Sequence, residues 1–251
     1  MPRKARQQSS LHIHHIILRG INQQIIFEDV YDYLEFINIM KFYKQSCNFK
    51  LYAYCLMNNH VHLLLEESTV PLDIIMKRIE VKFVRWYNCK YQRIGHLFQD
   101  RYKSEPVNDV EYFLTVFRYI HQNPLHAKLE HRLGKYPWSS YYDYVNQDIS
   151  FVDVNTVLRL FPNHSACLDF LCKNAPEKCL EHNSGNRLLD TEALKIIRAE
   201  TSCLSPSDFQ HLDLLTRNKY IKHLSKLGLS IRQISRLTGT PRAAVTKAVK
   251  Q

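Results

Sequence analysis

Apolar positions along the chain change period several times, and each change predicts an element. Leu11 to Leu18 is apolar with interspersed histidines, which predicts a strand. Val30 to Gln45 carries Tyr33, Leu34, Ile37, Met40 and Phe42 at helical spacing. Phe49 to Met57 and His60 to Glu66 are apolar and aromatic without a helical period, and Asn58-Asn59 between them predicts a hairpin. Leu72 to Tyr91 sets Ile75, Ile79, Phe83 and Trp86 on one helical face, and His96 to Pro106 predicts a fourth strand. Strand, helix, strand, strand, helix, strand is the order of a ferredoxin-like βαββαβ antiparallel sheet, which puts the chain in the α+β class.

A further amphipathic helix follows from Val110 to about Asn123, with Phe113, Val116, Phe117 and Ile120 in its apolar stripe. Tyr119 and Asn123 are four apart, beside that stripe, so a phenol and a carboxamide project together. Pro124 gives Asn123 a second reading as the residue that ends the helix. Residues 125 to 150 close this unit around Trp138 and several tyrosines. Short helices are expected at Val154 to Phe161, Ala166 to Lys173 and Thr191 to Glu200, with Asn183-Ser184-Gly185-Asn186 as the clearest linker.

The last stretch has the punctuation of a helix-turn-helix. Leu214 to Leu227 is a basic amphipathic helix, Ser230 can cap Ile231 to Leu237, Thr238-Gly239-Thr240 makes the turn, and Pro241 opens Arg242 to Val249. Arg242, Thr246, Lys247 and Lys250 are expected to face outward. The division is therefore residues 1–150, a helical connector over 151–200, and an all-α basic module over 201–251.

Charge separates these regions. Of a net charge of +10, residues 217–251 supply nine Lys or Arg and no acid, leaving 25 basic and 24 acidic groups elsewhere. That distribution favours a nucleic-acid-binding end. The 251 residues contain no long uncharged apolar run, so no membrane span is expected, and the polar, basic start lacks the apolar core of a secretory signal. Seven scattered cysteines form no C-x-x-C pair, so reduced thiols and a cytoplasmic location are the default. With six glycines and no G-x-x-x-x-G-K, a nucleotide-binding loop is not expected.

His60-Val61-His62 is the sharpest chemical signal. Side chains at i and i+2 on a strand share a face, so two imidazoles stand side by side on a rigid element, as a metal-ligand pair does. The chain has 13 histidines and a second H-x-H at His12-Ile13-His14, so the pair alone decides little.

In combination the motifs say more. NNHVHLLLE, then YIHQNP some fifty residues on, then YPWSSY resemble the HUH single-tyrosine transposases of the IS200/IS605 superfamily, and among them the REP-associated tyrosine transposases. LRG at Leu18 to Gly20 and LFQDRYKS at Leu97 to Ser104 also fit, and the resemblance covers roughly residues 11 to 145. It implies a metal-dependent enzyme that cleaves single-stranded or hairpin DNA and transfers the strand through a 5′-phosphotyrosine. Tyr119 would be the nucleophile, with His60, His62 and Asn123 as ligands of Mg²⁺ or Mn²⁺. Tyr112, two turns earlier on nearly the same face, is the competing nucleophile. Arg101 and Lys103 would meet phosphate, as would the outward residues of the last helix, and His15 would pack or touch DNA. A homodimer is an open expectation. The other reading of the whole chain is a DNA-binding regulator descended from such an enzyme that no longer cuts.

Overall fold

The computed structural model describes residues 9–173 and 190–250, so the expected linker at Asn183 to Asn186 lies outside the described residues. Four strands form one sheet: β1 (Ile13–Arg19), β2 (Lys50–Met57), β3 (His60–Glu66) and β4 (Lys103–Val107). Their spatial order is β2-β3-β1-β4, and every neighbouring pair is antiparallel. Between β1 and β2 runs α1 (Val30–Cys47), and between β3 and β4 runs α2 (Leu72–Lys90).

Local chemistry accounts for these boundaries. Asp29 and Asp32 form a reciprocal capping box at the start of α1, and Asn48 ends that helix in the left-handed region at φ 52°. The buried Asp32 carboxylate is held 2.7 Å from the Lys90 ammonium at the end of α2, which ties the two helices together. Phe36 and Phe83 meet edge-to-face at 5.0 Å between them. The Asn58-Asn59 hairpin turn does not take the positive φ of a type I′ turn. It is held from outside instead. Asn58 O accepts from Ile26 N at 2.8 Å, and Asn59 O accepts from Gly20 N at 2.9 Å. Gly20 is needed there because a Cβ would stand 2.3 Å from the carbonyl oxygen of Gln24.

Two expectations need correction. The fourth strand begins at Lys103, not His96, so Arg101 lies in the bend before it. Leu97 and Phe98 are adjacent and both buried, which the alternation of a half-wet strand does not permit. They enter the core as a loop that touches β1 through the single bridge Gly20–Phe98. The next helix, α3 (Val110–His126), runs on through Pro124 rather than stopping at Asn123. The local preference against helix before proline is overridden because the last turn is closed by Ala127 N bonding Asn123 O at 2.9 Å and by burial of residues 119–124.

α3 lies against β2 and β3. Beyond it come α4 (Tyr141–Asn146), α5 (Val154–Leu158) and α6 (His164–Cys172). The outer edge of β2 is covered by the segment before α4, where Leu56 N bonds Trp138 O at 2.8 Å and Ser140 N bonds Tyr54 O at 3.0 Å.

The remaining helices are α7 (Asp190–Thr201), α8 (Pro206–His211), α9 (Leu214–Lys226), α10 (Ile231–Thr238) and α11 (Arg242–Lys250). They share a second core, with Phe209, Ile221, Leu224, Ile234, Leu237 and Val245 at its centre. That core also takes in Ala193 and Ile197, so the expected break after residue 200 falls inside α7. It reaches the sheet region through Ile25, and Ser207 of α8 donates its hydroxyl to Glu28 at 2.8 Å. Among the described residues, no helix is long and apolar enough to cross a membrane.

Candidate active site

Register builds the site. His60 and His62 alternate with the buried Val61 and Leu63 along β3, so both imidazoles point to the face that α3 covers. His62 stands opposite Ile17 of β1 and His60 opposite Arg19. Asn123 and Tyr119, one turn apart on α3, come down onto the same face. The Asn123 amide nitrogen is 3.2 Å from His62 Nε2, and the Tyr119 ring centroid is 5.7 Å from that of His62. The structure therefore brings His60, His62, Tyr119 and Asn123 together, and Tyr119 and Asn123 are both 6 % exposed.

The proton positions on the two imidazoles follow from their partners. Asn59 donates its amide to Gln23 O at 3.1 Å, which turns its carbonyl oxygen toward His60 Nδ1 at 2.6 Å. That bond needs the proton on Nδ1 of His60 and leaves the lone pair on Nε2. His62 is set in the same sense. Asn123 donates to Nε2, and Nδ1 lies 3.1 Å from His15 Nε2, so the proton of His62 sits on Nδ1. His15 then carries its own proton on Nδ1, which faces Glu105 at 3.8 Å. Asn123 on one side and His15 on the other thus fix the tautomer of His62, with the Glu105 carboxylate facing His15 beyond hydrogen-bond reach. His15 is fully buried, and burial pulls its pKa below the usual histidine value against the opposing pull of Glu105.

Among the described residues, no three His, Cys, Asp or Glu side chains gather into a metal cage. A cation held by His60 and His62 would therefore draw its next protein donor from a neutral group, and the Asn123 amide lies beside His62. Two donors bound at right angles to a cation at about 2.1 Å lie about 3 Å apart. The 3.2 Å between Asn123 and His62 Nε2 matches that spacing, and a half-turn of the amide presents oxygen in place of nitrogen. Two imidazoles, one amide and open positions suit Mn²⁺ or Mg²⁺. The residues present fit the group.

His121, two residues past Tyr119, points the other way. Its Nδ1 donates to Phe117 O at 2.8 Å, and its Nε2 accepts from Ser140 at 2.8 Å. Burial lowers its pKa to about 4, so it is a neutral tie between α3 and the segment covering β2.

The expected DNA contacts are dispersed. Lys103 is exposed at the start of β4, and Arg101 lines a cleft of about 670 Å³ with Arg85, His96 and Phe98. Arg242, Lys247 and Lys250 are exposed on α11, whereas the Thr246 hydroxyl donates to Arg242 O in its own helix at 2.8 Å. Sequence reasoning missed Asn59 and Glu105. Asn59 carried a usable signal, since it directly precedes His60. Glu105 carried none, because its place beside His15 depends on β1–β4 register.

Residues 7–123 match the family model described as transposase, IS200 like. No curated protein matches the chain. Among solved structures, the chain is similar to a REP-associated tyrosine transposase bound to a REP hairpin. The identity is 14 % and the TM-score 0.54, over 75 % of this chain and 99 % of that one, a likeness of fold. It is also similar to a proposed transposase from Deinococcus radiodurans R1, at 19 % identity and a TM-score of 0.34, over 47 % of this chain and 95 % of that one.

Proposed function

From the premise that this chain belongs, through residues 7–123, to the IS200-like transposase family, we propose that it cuts single-stranded or hairpin DNA with Tyr119 and rejoins the strand to another end. The observation that carries this reading is the meeting of Tyr119 and Asn123 with the His62 ring at one point on the sheet.

The Tyr119 oxygen would attack the scissile phosphorus in line. A phosphotyrosine bond to the 5′ side forms, the bond to the 3′ oxygen breaks, and that oxygen takes up a proton as the phenol gives one up. Attack of a second 3′-hydroxyl on the phosphotyrosine reverses the step and joins strands, so no external energy source is required. A free phenol titrates near ~10, so the site must favour the charged nucleophile and offset the charge on phosphate. A bound Mg²⁺ or Mn²⁺ would supply that positive charge, held by His60, His62 and Asn123. Asn59 and His15 would hold the two imidazoles in the tautomers that keep the lone pair on Nε2, the atom through which each would ligate.

Two finer readings of the fold belong with this one. Strand order β2-β3-β1-β4 with two helices in split βαβ order supports a ferredoxin-like unit. Ser230 capping α10, Gly239 at φ 65°, and the exposed basic face of α11 support a helix-turn-helix that holds DNA near the site.

The deciding experiment incubates the protein with Mn²⁺ and labelled single-stranded hairpins from its own genomic neighbourhood. A covalent adduct mapped by mass spectrometry to the peptide containing Tyr119 is expected. Binding without any adduct would favour a non-cleaving regulator, the reading that the basic C-terminal helices alone would support.

A further inference from the structure

Arg19 is the last residue of β1 and the antiparallel partner of His60, so its side chain rises on the catalytic face. It is half-buried, and its Nε has no hydrogen-bond partner among the described residues. The charge that acts on it is another cation. Burial and the neighbouring Arg236 guanidinium together pull Arg19 down to about 10, and among the described residues no carboxylate offsets them. Arg236 belongs to α10, which packs on the single 3-10 turn Ile21–Gln23 just after Arg19. Its terminal nitrogen pairs with Asp190, but its own Nε is also buried without a partner among the described residues.

Two partly buried guanidiniums that feel each other's charge repel, and each unpaired buried Nε adds a cost. The arrangement has a use if an anion sits between them. A guanidinium offers planar, forked donors that match the oxygens of a phosphate. The place is also suitable. The turn under α10 is the one that holds the hairpin, through Gly20 N on Asn59 O at 2.9 Å and the Asn59 amide on Gln23 O at 3.1 Å, and Asn59 in turn orients His60.

We propose that Arg19 and Arg236 together bind one backbone phosphate of the DNA strand, next to the phosphate that Tyr119 attacks. The C-terminal helices then complete the catalytic cleft and do more than tether DNA at a distance. This rests on the reading that the chain acts on single-stranded DNA, but the anion site itself does not require cleavage.

The first test is thermal melting of the full chain in inorganic phosphate against chloride at matched ionic strength. Phosphate should raise the wild-type midpoint by a few degrees beyond chloride. Arg19→Gln should melt higher than wild type without phosphate, because repulsion is relieved, and should lose the phosphate response. A purely structural arginine would give the opposite sign. The second test is binding of a single-stranded hairpin across a salt series. Arg19→Gln and Arg236→Gln should each flatten the log–log salt slope by about 0.7, the effect of one phosphate. The double variant should lose no more than either single one, since both arginines serve the same phosphate. Arg236→Gln also gives up its pair with Asp190, so it is read only in this DNA arm and stands alone if Arg19→Gln does not fold. Identical wild-type melting in phosphate and chloride, or additive slope losses in the double variant, would overturn the proposal. Absence of a Tyr119 adduct in the wild type would overturn the cleavage reading and leave the phosphate response as it was.

Discussion

The sheet region and the C-terminal helices bury different kinds of polar group. The first encloses four imidazoles, on His14, His15, His62 and His121, together with the Asp32 carboxylate. The second buries Thr201, Ser207, Gln233, Ser235, Thr238 and Thr240, all neutral, and leaves His211 and His223 exposed. Hydroxyls and amides at helix ends close backbone groups, as when Ser235 donates to Thr240 O at 2.8 Å and Thr238 to Ile234 O at 2.6 Å. Such bonds are insensitive to pH and need no rigid frame. Imidazoles in line are different. Each fixes the proton of the next, so they must stand on strands whose register cannot slip. The two cores therefore divide the work: buried titratable donors belong to the sheet and the α3 helix on it, and exposed positive charge to the C-terminal helices.

The sharpest way to break this division is Tyr119→Phe. It removes one oxygen and keeps the buried ring, so folding and hairpin binding should persist while covalent adduct falls to background. Denaturing gels with labelled hairpin read the adduct directly. Should the phosphotyrosine map to Tyr112, the assignment on α3 is out by two turns.

His62→Ala comes next. Cleavage should drop by roughly two to three orders of magnitude, the scale of removing an electrostatic stabiliser of the transition state. His15 and Asn123 would each be deprived of a partner, for a stability loss of about 1–3 kcal/mol. Urea unfolding alongside single-turnover cleavage separates the two effects, and hairpin affinity should change little.

Acid should open the sheet region first. An unfolded chain binds a proton at His121 below 6.5, whereas the folded protein does so only near 4. The unfolded state thus holds more protons in that window, and stability falls as pH drops from 6.5 toward 4, by about 3 kcal/mol for this group. Burial lowers His14 and His15 in the same direction. Amide protection factors, each taken against the intrinsic exchange rate at that pH, should fall at pH 5 in the strands and α3 before α9 to α11; the reverse order would remove the contrast between the cores.

The smallest expected effect belongs to the helical module. Replacing the exposed Arg242, Lys247 and Lys250 by Gln should leave melting unchanged and flatten the log–log salt slope of hairpin binding by about 0.7 to 0.9 for each phosphate no longer neutralised. Anisotropy titrations across salt would show it, and an unchanged slope would mean that α11 does not touch DNA.

What the sequence determined by itself was local. Apolar runs without a helical period and patterns of period 3.6 placed three of the four strands and most helices to within a few residues, whereas the fourth strand was expected from His96 and begins at Lys103. The i, i+2 spacing of His60 and His62 and the i, i+4 spacing of Tyr119 and Asn123 already put each pair on one face, and the acid-free end marked the basic module. Short elements such as α4 and α8 escaped, because six residues hold too little of any period. Where burial outweighed local preference, the pattern misled: Pro124 stays helical, and Leu97-Phe98 packs as a loop. Tertiary structure alone decided which pairs meet. Strand order set His15 beside His62 and Glu105 beside His15, the hairpin's outside bonds turned Asn59 toward His60, and the docking of α10 brought Arg236 to Arg19. Side-chain spacing along one element follows from its own geometry, but register and docking between elements are fixed only by the burial they share.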